Sequence, residues 1–214
     1  GALGGIVGQR TNSYWEVPVI SGIAVRPNSD QLKHFGAALA SFGSVAMFHM
    51  LGITPEAADV AEAFGGRDVP AASPIGREDF DAFYSSYAAK GDKLDVVVFS
   101  APQLSLMEME QVAALLSAKR IHDETTLIVC TSPEIKSGAD RMGLTRRMEE
   151  AGAVVLSGVC FYQSYAREMA EANGWKRLMS NSAKLVNIIG GYGYKPTLGT
   201  MQHCVDSAVA GRIL

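Results

Sequence analysis

Cys160 follows the short apolar run Ala153-Val-Val-Leu156, and Cys204 opens the last helical stretch in His203-Cys204-Val-Asp-Ser. Two thiolates at a strand end and a helix start suit iron or an iron–sulfur cluster, given a third ligand. From the residues alone the favoured reading is two buried apolar cysteines, because no CxxC pair occurs and free cysteine is among the most buried residue types. Cys130, inside Leu127-Ile-Val-Cys130, reads as core. A second polar cluster is the run Met179-Ser180-Asn181-Ser182-Ala183-Lys184, a strand end passing into a helix. Its hydroxyls, free N–H groups and ammonium have the chemistry to hold a carboxylate or phosphate. The plainer reading is a Ser/Asn cap with a solvated lysine. His49 ends an apolar run; it is either a hydrogen-bonded structural residue or a polar group near a site. Thr54 and Glu56, in Thr-Pro-Glu, fit a helix start, where a hydroxyl caps and a carboxylate faces the positive helix end. Arg212 either binds an anion or decorates a helix C-terminus.

The elements that position these residues follow from apolar runs and turn signals. Val17–Ile23 predicts a strand with Pro18 near its edge or start. Asp30 predicts the cap of a helix from Gln31 to about Ala40. Ser44–Met50 predicts a buried strand. Thr54-Pro55-Glu56 predicts a helix start, and Gly65-Gly66 its end. Residues 67–76 hold Pro70, Pro74 and Gly76 and predict a loop, where a domain boundary is allowed. A helix from Glu78 to Ala89 follows. The chain then alternates: strand 94–99, helix 105–119, strand 125–130, helix 139–151, strand 153–156, helix 165–173. A helix from Ser182 to Ile189, a Gly/Tyr/Pro loop over 190–196 and a helix from about Thr200 complete it. Short, apolar, non-alternating strands separated by helices predict an α/β fold. The sheet is doubly wound and mostly parallel, with helices on both faces.

The chain has 214 residues, 48% hydrophobic and 19% charged, with a net charge of −3. That composition is globular and long enough for a sizeable core. It gives no electrostatic reason to expect nucleic acid or an anionic membrane. No apolar run reaches the ~18 residues of a membrane span. Three cysteines at wide spacing argue against a disulfide framework and suit a reducing, cytoplasmic compartment. No leader is visible. Gly191-Tyr-Gly193-Tyr is not a dinucleotide fingerprint, and no Gly-Lys-Ser/Thr loop, HExxH or GxSxG occurs.

Leu32-Lys-His-Phe-Gly36 through His49-Met-Leu-Gly52-Ile-Thr-Pro-Glu-Ala57, then Val-Cys160, Ser180-Asn-Ser-Ala-Lys184 and His203-Cys204 through Gly211-Arg212 occur in that order. Together they resemble the large, catalytic subunit of aconitase X, a branch of the aconitase superfamily. The resemblance covers the C-terminal half of that subunit, so residues 1–214 read as part of an aconitase X-type catalytic domain without an initiator Met. It implies a hydro-lyase that dehydrates a small hydroxy acid. The substrate expected is cis-3-hydroxy-L-proline, on the likeness of Ser41–Val45 and Gly91–Asp95 to the bacterial type, with mevalonate 5-phosphate as the alternative. It implies that Cys160 and Cys204 serve iron or an iron–sulfur cluster whose third Cys lies outside this chain. Ser182, Lys184 and His49 are implied as catalytic residues, and Ser180, Asn181 and Thr54 as substrate contacts. The implied partners are the N-terminal half of the large subunit and a small swivelling domain or subunit. The chain departs from the family pattern at Gln103, where His is common, at Gly158-Val159 before Cys160, and at Asn187-Ile188, where His-Tyr is common. Those departures keep open a non-catalytic binding or assembly domain. The missing phosphate loops weigh against a nucleotide-dependent enzyme.

Overall fold

Leu94 to Leu104 contains six residues shut away from solvent in a row, from Val96 to Ala101. A strand buried on both faces requires layers above and below it, and this one forms the middle of the larger sheet. The computed structural model describes residues 1–214 and divides into two units, Gly1–Ser85 and Ser86–Leu214. The division falls beyond the 67–76 loop at which the sequence allows a boundary, and that loop lies inside the first unit.

In the first unit, α1 (Ala2–Thr11) packs on α2 (Ser29–Gly43). A two-residue strand β1 (Val19–Ile20) pairs in parallel with β2 (His49–Met50). Two short helices follow, α3 (Val60–Phe64) and α4 (Arg77–Ser85). The α1–α2 seam is closed by glycines. A Cβ on Gly8 would stand 2.7 Å from the Leu39 carbonyl oxygen, and one on Gly43 would stand 2.9 Å from Gly8 Cα. Val7, Phe35, Leu39, Val45 and Met50 form the small core beneath.

Three local expectations change here. The cap of α2 is Asn28, whose side chain accepts from the Gln31 N–H at 2.9 Å while Gln31 Oε1 accepts from the Asn28 N–H at 3.0 Å. Asp30 is instead a first-turn acid. The helix then runs on to Gly43 and closes at Ser44 with φ 55°, so residues predicted as strand are taken by the helix end and only His49–Met50 remain extended. Thr54-Pro-Glu does not start a helix. Thr54 folds back on Met50, and α3 begins later, capped by Asp59 through the Glu62 N–H.

In the second unit, five parallel strands lie in the order β5-β4-β3-β6-β7. These are β3 (Val96–Leu104), β4 (Thr126–Thr131), β5 (Val154–Ser157), β6 (Arg177–Ser180) and β7 (Lys195–Leu198). Alternate residues sort into two cores. Val97, Phe99, Leu127, Val129 and Met179 face one layer, with residues of α5 (Leu106–Leu115), α6 (Pro133–Arg141), α7 (Leu144–Glu150) and α10 (Met201–Ala210). Val96, Val98, Ile128, Cys130 and Leu178 face the other, with α8 (Ala166–Asn173) and α9 (Ala183–Ile189). This is the doubly wound arrangement read from the sequence. The chain steps outward from β3 through β4 to β5 with helices on one face. It then crosses back on the other face to β6 and β7.

The single helix expected over 139–151 is two, because Gly143 at φ 70° breaks it and Ser132 caps α6 with Pro133 behind it. The expected 190–196 loop supplies the edge strand β7, where Pro196 is tolerated because a sheet edge needs no second donor. No helix is long and apolar enough to cross a membrane.

Candidate functional site at the switch point

Strand order reverses at β3, so the C-terminal ends of β3 and β6 open a crevice between connections that leave in opposite directions. Open parallel sheets bind ligands there. The Ser180–Lys184 run lies at this point: Ser180 ends β6, and Ser182 caps α9.

The two serines are held tightly by the fold. Ser180 is buried; its hydroxyl donates to the Val98 carbonyl at 2.6 Å and accepts from the Ser182 N–H at 3.1 Å. Ser182 is buried too; its hydroxyl donates to the Ala101 carbonyl at 2.6 Å and accepts from the Leu185 N–H at 3.1 Å. Both hydroxyl protons therefore go to backbone carbonyls of β3 and bind the turn to the central strand. Two N–H groups that a bound anion would seek are already taken by the serine oxygens. Asn181 and Lys184, half-buried in the same turn, are the polar side chains left facing outward from this framework.

The neighbouring strand ends bring in Cys160. Gln103 Nε2 donates to the Val159 carbonyl at 2.9 Å, and the Phe161 N–H donates to Ser100 Oγ at 3.3 Å. The end of β3 thus bridges the Ser180–Lys184 turn on one side and the Val159–Phe161 loop on the other. Gln103 holds the loop before Cys160 and was noted from the sequence only as a departure; the signal was its place near the end of an apolar strand, in Ala101-Pro102-Gln103. Asn187, another departure, receives a long 3.5 Å hydrogen bond from the Tyr87 hydroxyl.

The cysteines fall in two core layers. Cys204 is fully buried in the core layer that contains Phe99, Met109 and Val205. Cys160 packs against the opposite layer, which contains Cys130 and Phe161. Cys204 and Cys160 thus pack into different core layers of the larger sheet. Cys160 instead lies close enough to Cys130 to affect it. Burial pushes the Cys130 thiol up to about 11, with a smaller opposing contribution from its hydrogen bond to Ser100 and a further rise from Cys160. Burial pushes the Cys204 thiol far above its ordinary range. No group of three or more His, Cys, Asp and Glu side chains is placed to hold a metal ion.

A thiol-labelling experiment checks this arrangement. Iodoacetamide on the folded chain is expected to modify Cys160 first, about tenfold or more ahead of Cys130 and Cys204, which react only through opening of the core. Equal rates at Cys160 and Cys204 would show that the last helix does not bury its cysteine.

His49 and Thr54 belong to the first unit. His49 is half-buried on β2, its N–H bonded to the Pro18 carbonyl at 3.0 Å. Thr54 Oγ1 accepts from the Met50 N–H at 3.0 Å and lies 3.2 Å from the Met50 carbonyl. Its hydroxyl holds the turn after β2. Arg212 is exposed past the end of α10, where its backbone bridges to Lys93.

A doubly wound sheet with a polar turn at its switch point places the second unit in the α/β class. The known proteins it resembles make that class specific. The model of the aconitase X second domain matches residues 1–85, and that of the third domain matches residues 94–210. The chain belongs to the aconitase X family. A cis-3-hydroxy-L-proline dehydratase of Pseudomonas aeruginosa is 36% identical over 200 residues, 92% of this chain and 34% of its own length. A phosphomevalonate dehydratase large subunit of Methanocaldococcus jannaschii is 34% identical, over 86% of this chain and 43% of its own length. The crystal structure of Thermococcus kodakaraensis aconitase X in its holo form superimposes with a TM-score of 0.83 at 25% identity. That match covers 97% of this chain and 50% of the other. The chain therefore spans between 34% and 50% of the length of these proteins.

Proposed function

We propose that the chain works within a hydro-lyase that removes water from a small hydroxy acid, of the cis-3-hydroxy-L-proline type. The observation that carries this reading is the 36% identity to the Pseudomonas dehydratase across both units. Lys184 is the residue that meets the substrate carboxylate, as an ammonium held in the first turn of α9 beside Asn181. A fixed cation at that point lowers the energy of a carboxylate and of the negative charge that builds on it when the neighbouring carbon loses its proton. The group that moves this proton is assigned to the Ser182–Lys184 turn. Ser180 and Ser182 hold the turn against β3 and set where Lys184 and Asn181 lie. Thr54 plays the same part for the segment that follows His49.

Iron, which the family resemblance implies, would supply a Lewis acid for the departing hydroxyl. Of this chain's thiols, Cys160 is the partly accessible one at the strand ends. The remaining ligands, the rest of the large subunit and a small swivelling part belong to the complete assembly. Mevalonate 5-phosphate is the second substrate reading, favoured by the 34% identity to the Methanocaldococcus subunit. The test is the complete assembly offered each compound separately, with loss of water followed by mass spectrometry. Turnover of cis-3-hydroxy-L-proline alone is the expected result. Turnover of mevalonate 5-phosphate alone would reassign the substrate, and turnover of neither would favour a non-catalytic domain.

A further inference from the structure

We infer, resting on the assignment of Lys184 to the substrate carboxylate, that Asn187 is a specificity-determining residue of the switch-point site. Its carboxamide oxygen, held by Tyr87, accepts a hydrogen bond from the ring ammonium of a cyclic imino acid. α9 has one face that is not shut into the core. Ala183, Leu185, Val186 and Ile189 are buried, while Lys184, Asn187 and Ile188 are half-buried. Residues three and four apart on a helix are neighbours, with Cβ atoms about 5–6 Å apart. Asn187 and Ile188 therefore lie one turn beyond Lys184 on the same face.

Tyr87 ties that face to the sheet. Its hydroxyl donates to Asn187 Oδ1 at 3.5 Å, and its carbonyl accepts from the Leu198 N–H at 3.2 Å. Leu198 ends β7 in register with Ser180, the last residue of β6. Tyr87 is thus anchored at the level of the Ser180–Lys184 turn and reaches from the sheet edge onto α9. Burial pushes its phenol above the ordinary range, so the hydroxyl keeps its proton and donates. A donor on Oδ1 sets which way the carboxamide is turned. The carboxamide oxygen has two lone pairs, and one tyrosine donor uses one of them.

The three side chains suit one ligand class. In a cyclic imino acid the carboxylate and the ring ammonium are attached to the same carbon, and the rest of the ring is largely apolar. Lys184 supplies a cation for the first, Asn187 an oxygen acceptor for the second, and Ile188 an apolar surface for ring methylenes. A hydrogen bond from an ammonium to a neutral oxygen is charge-assisted and stronger than one between neutral groups. A neutral acceptor also suits the position. A carboxylate at residue 187 would pair with Lys184 itself and compete with the substrate. A ligand whose second charged group is a phosphate would bring acceptor oxygens against an acceptor, which counts against it.

The test uses the complete assembly, with cis-3-hydroxy-L-proline as substrate and cis-3-hydroxytetrahydrofuran-2-carboxylate as competing ligand. This oxygen analogue keeps the carboxylate and the hydroxyl but lacks the N–H donors. Asn187→Leu is expected to raise KM for the imino acid about tenfold, while kcat and the inhibition constant of the analogue change by less than about twofold. Tyr87→Phe should raise the same KM by about threefold, and the double variant should be no worse than Asn187→Leu, because Tyr87 acts through Asn187. Tyr87→Phe removes one oxygen and keeps the ring, so it gives the same comparison if Asn187→Leu does not fold. A merely structural role would weaken the analogue as much as the imino acid and lower kcat. That result overturns the inference, and so does an unchanged KM in Asn187→Leu. In either case a parent assembly that dehydrates the imino acid leaves the dehydratase reading standing. A parent assembly that does not dehydrate it overturns both.

Discussion

Gly43→Ala is expected to destabilise the first unit by about 3 kcal/mol, although Gly43 sits in a helix where alanine is intrinsically preferred by about 1 kcal/mol. The sign reverses because of where α2 crosses α1. A Cβ on Gly43 would overlap the Gly8 carbonyl and stand 2.9 Å from Gly8 Cα, so the contact is with backbone. A flexible side chain can rotate out of the way, but a helix backbone moves only by parting the two helices. Parting them opens the seam above Val7 and Leu39, which belong to one small core. Close-packed interiors forfeit much of their dispersion energy for gaps under 1 Å. Gly36→Ala is the internal control. Its nearest neighbour would be Phe48 Cε1 at 3.7 Å, an ordinary contact, so the helix preference should win and stability should rise by about 0.5–1 kcal/mol. Urea unfolding of the three proteins reads the difference directly. If Gly43→Ala is as stable as the parent chain, the α1–α2 crossing is not backbone on backbone.

The pair of glycines also shows what the sequence could disclose. Gly36, Gly43 and Gly52 are conspicuous in the chain, but only packing distinguishes Gly43, which touches backbone, from Gly36, which does not, and from Gly52, which serves a left-handed turn at φ 69°. The strands of the larger sheet were legible for a simple reason. Val96–Ser100 and Leu127–Cys130 are buried on both faces, so burial alone writes them as unbroken apolar runs. Short strands carry no such run. β7 holds Lys195 and Pro196 at an edge, and β2 is two residues long after α2 has extended to Gly43. Helix boundaries moved wherever two residues competed to cap. Asn28 prevailed over Asp30 because Gln31 sits where it completes a reciprocal box.

The cysteines mark a deeper limit. Sequence spacing places Cys204 on a helix and Cys160 past a strand, but it does not say on which side of the sheet that helix packs. In a doubly wound fold the connection sets the side. α10 returns to the layer of α5 and α7, and so buries Cys204 in that layer while Cys160 packs against the other. The Ser180–Lys184 turn was legible as strand end, cap and helix start. The use of both hydroxyls was not, because their acceptors, Val98 and Ala101, are about 80 residues earlier in the chain, as the 82- and 81-residue separations show.

That use of the hydroxyls makes the turn testable, because its residues should fail in different ways. Ser182→Ala removes the cap of α9, worth ~1 kcal/mol, and leaves the Ala101 carbonyl unsatisfied in a buried place, a further ~1–3 kcal/mol. Its main expected effect is a loss of stability, with activity falling because the turn loosens. Lys184 is half-buried, so its replacement by alanine should change stability by only about ±0.5 kcal/mol. A lysine in the first turn of a helix works against the helix field, which disfavours a cation there. An anionic group bound beside it removes that conflict. Loss of one charge-assisted contact to the substrate carboxylate should cost ~1.5–3 kcal/mol, or about tenfold or more in kcat/KM of the complete assembly. Thermal unfolding and kinetics on the same two variants therefore give opposite rankings: Ser182→Ala worse in stability, Lys184→Ala worse in catalysis per folded molecule. Wild-type kcat/KM in Lys184→Ala would make Lys184 a solvated helix residue. The substrate carboxylate would then have to be met by another group at the switch point, with Asn181 the next side chain to replace.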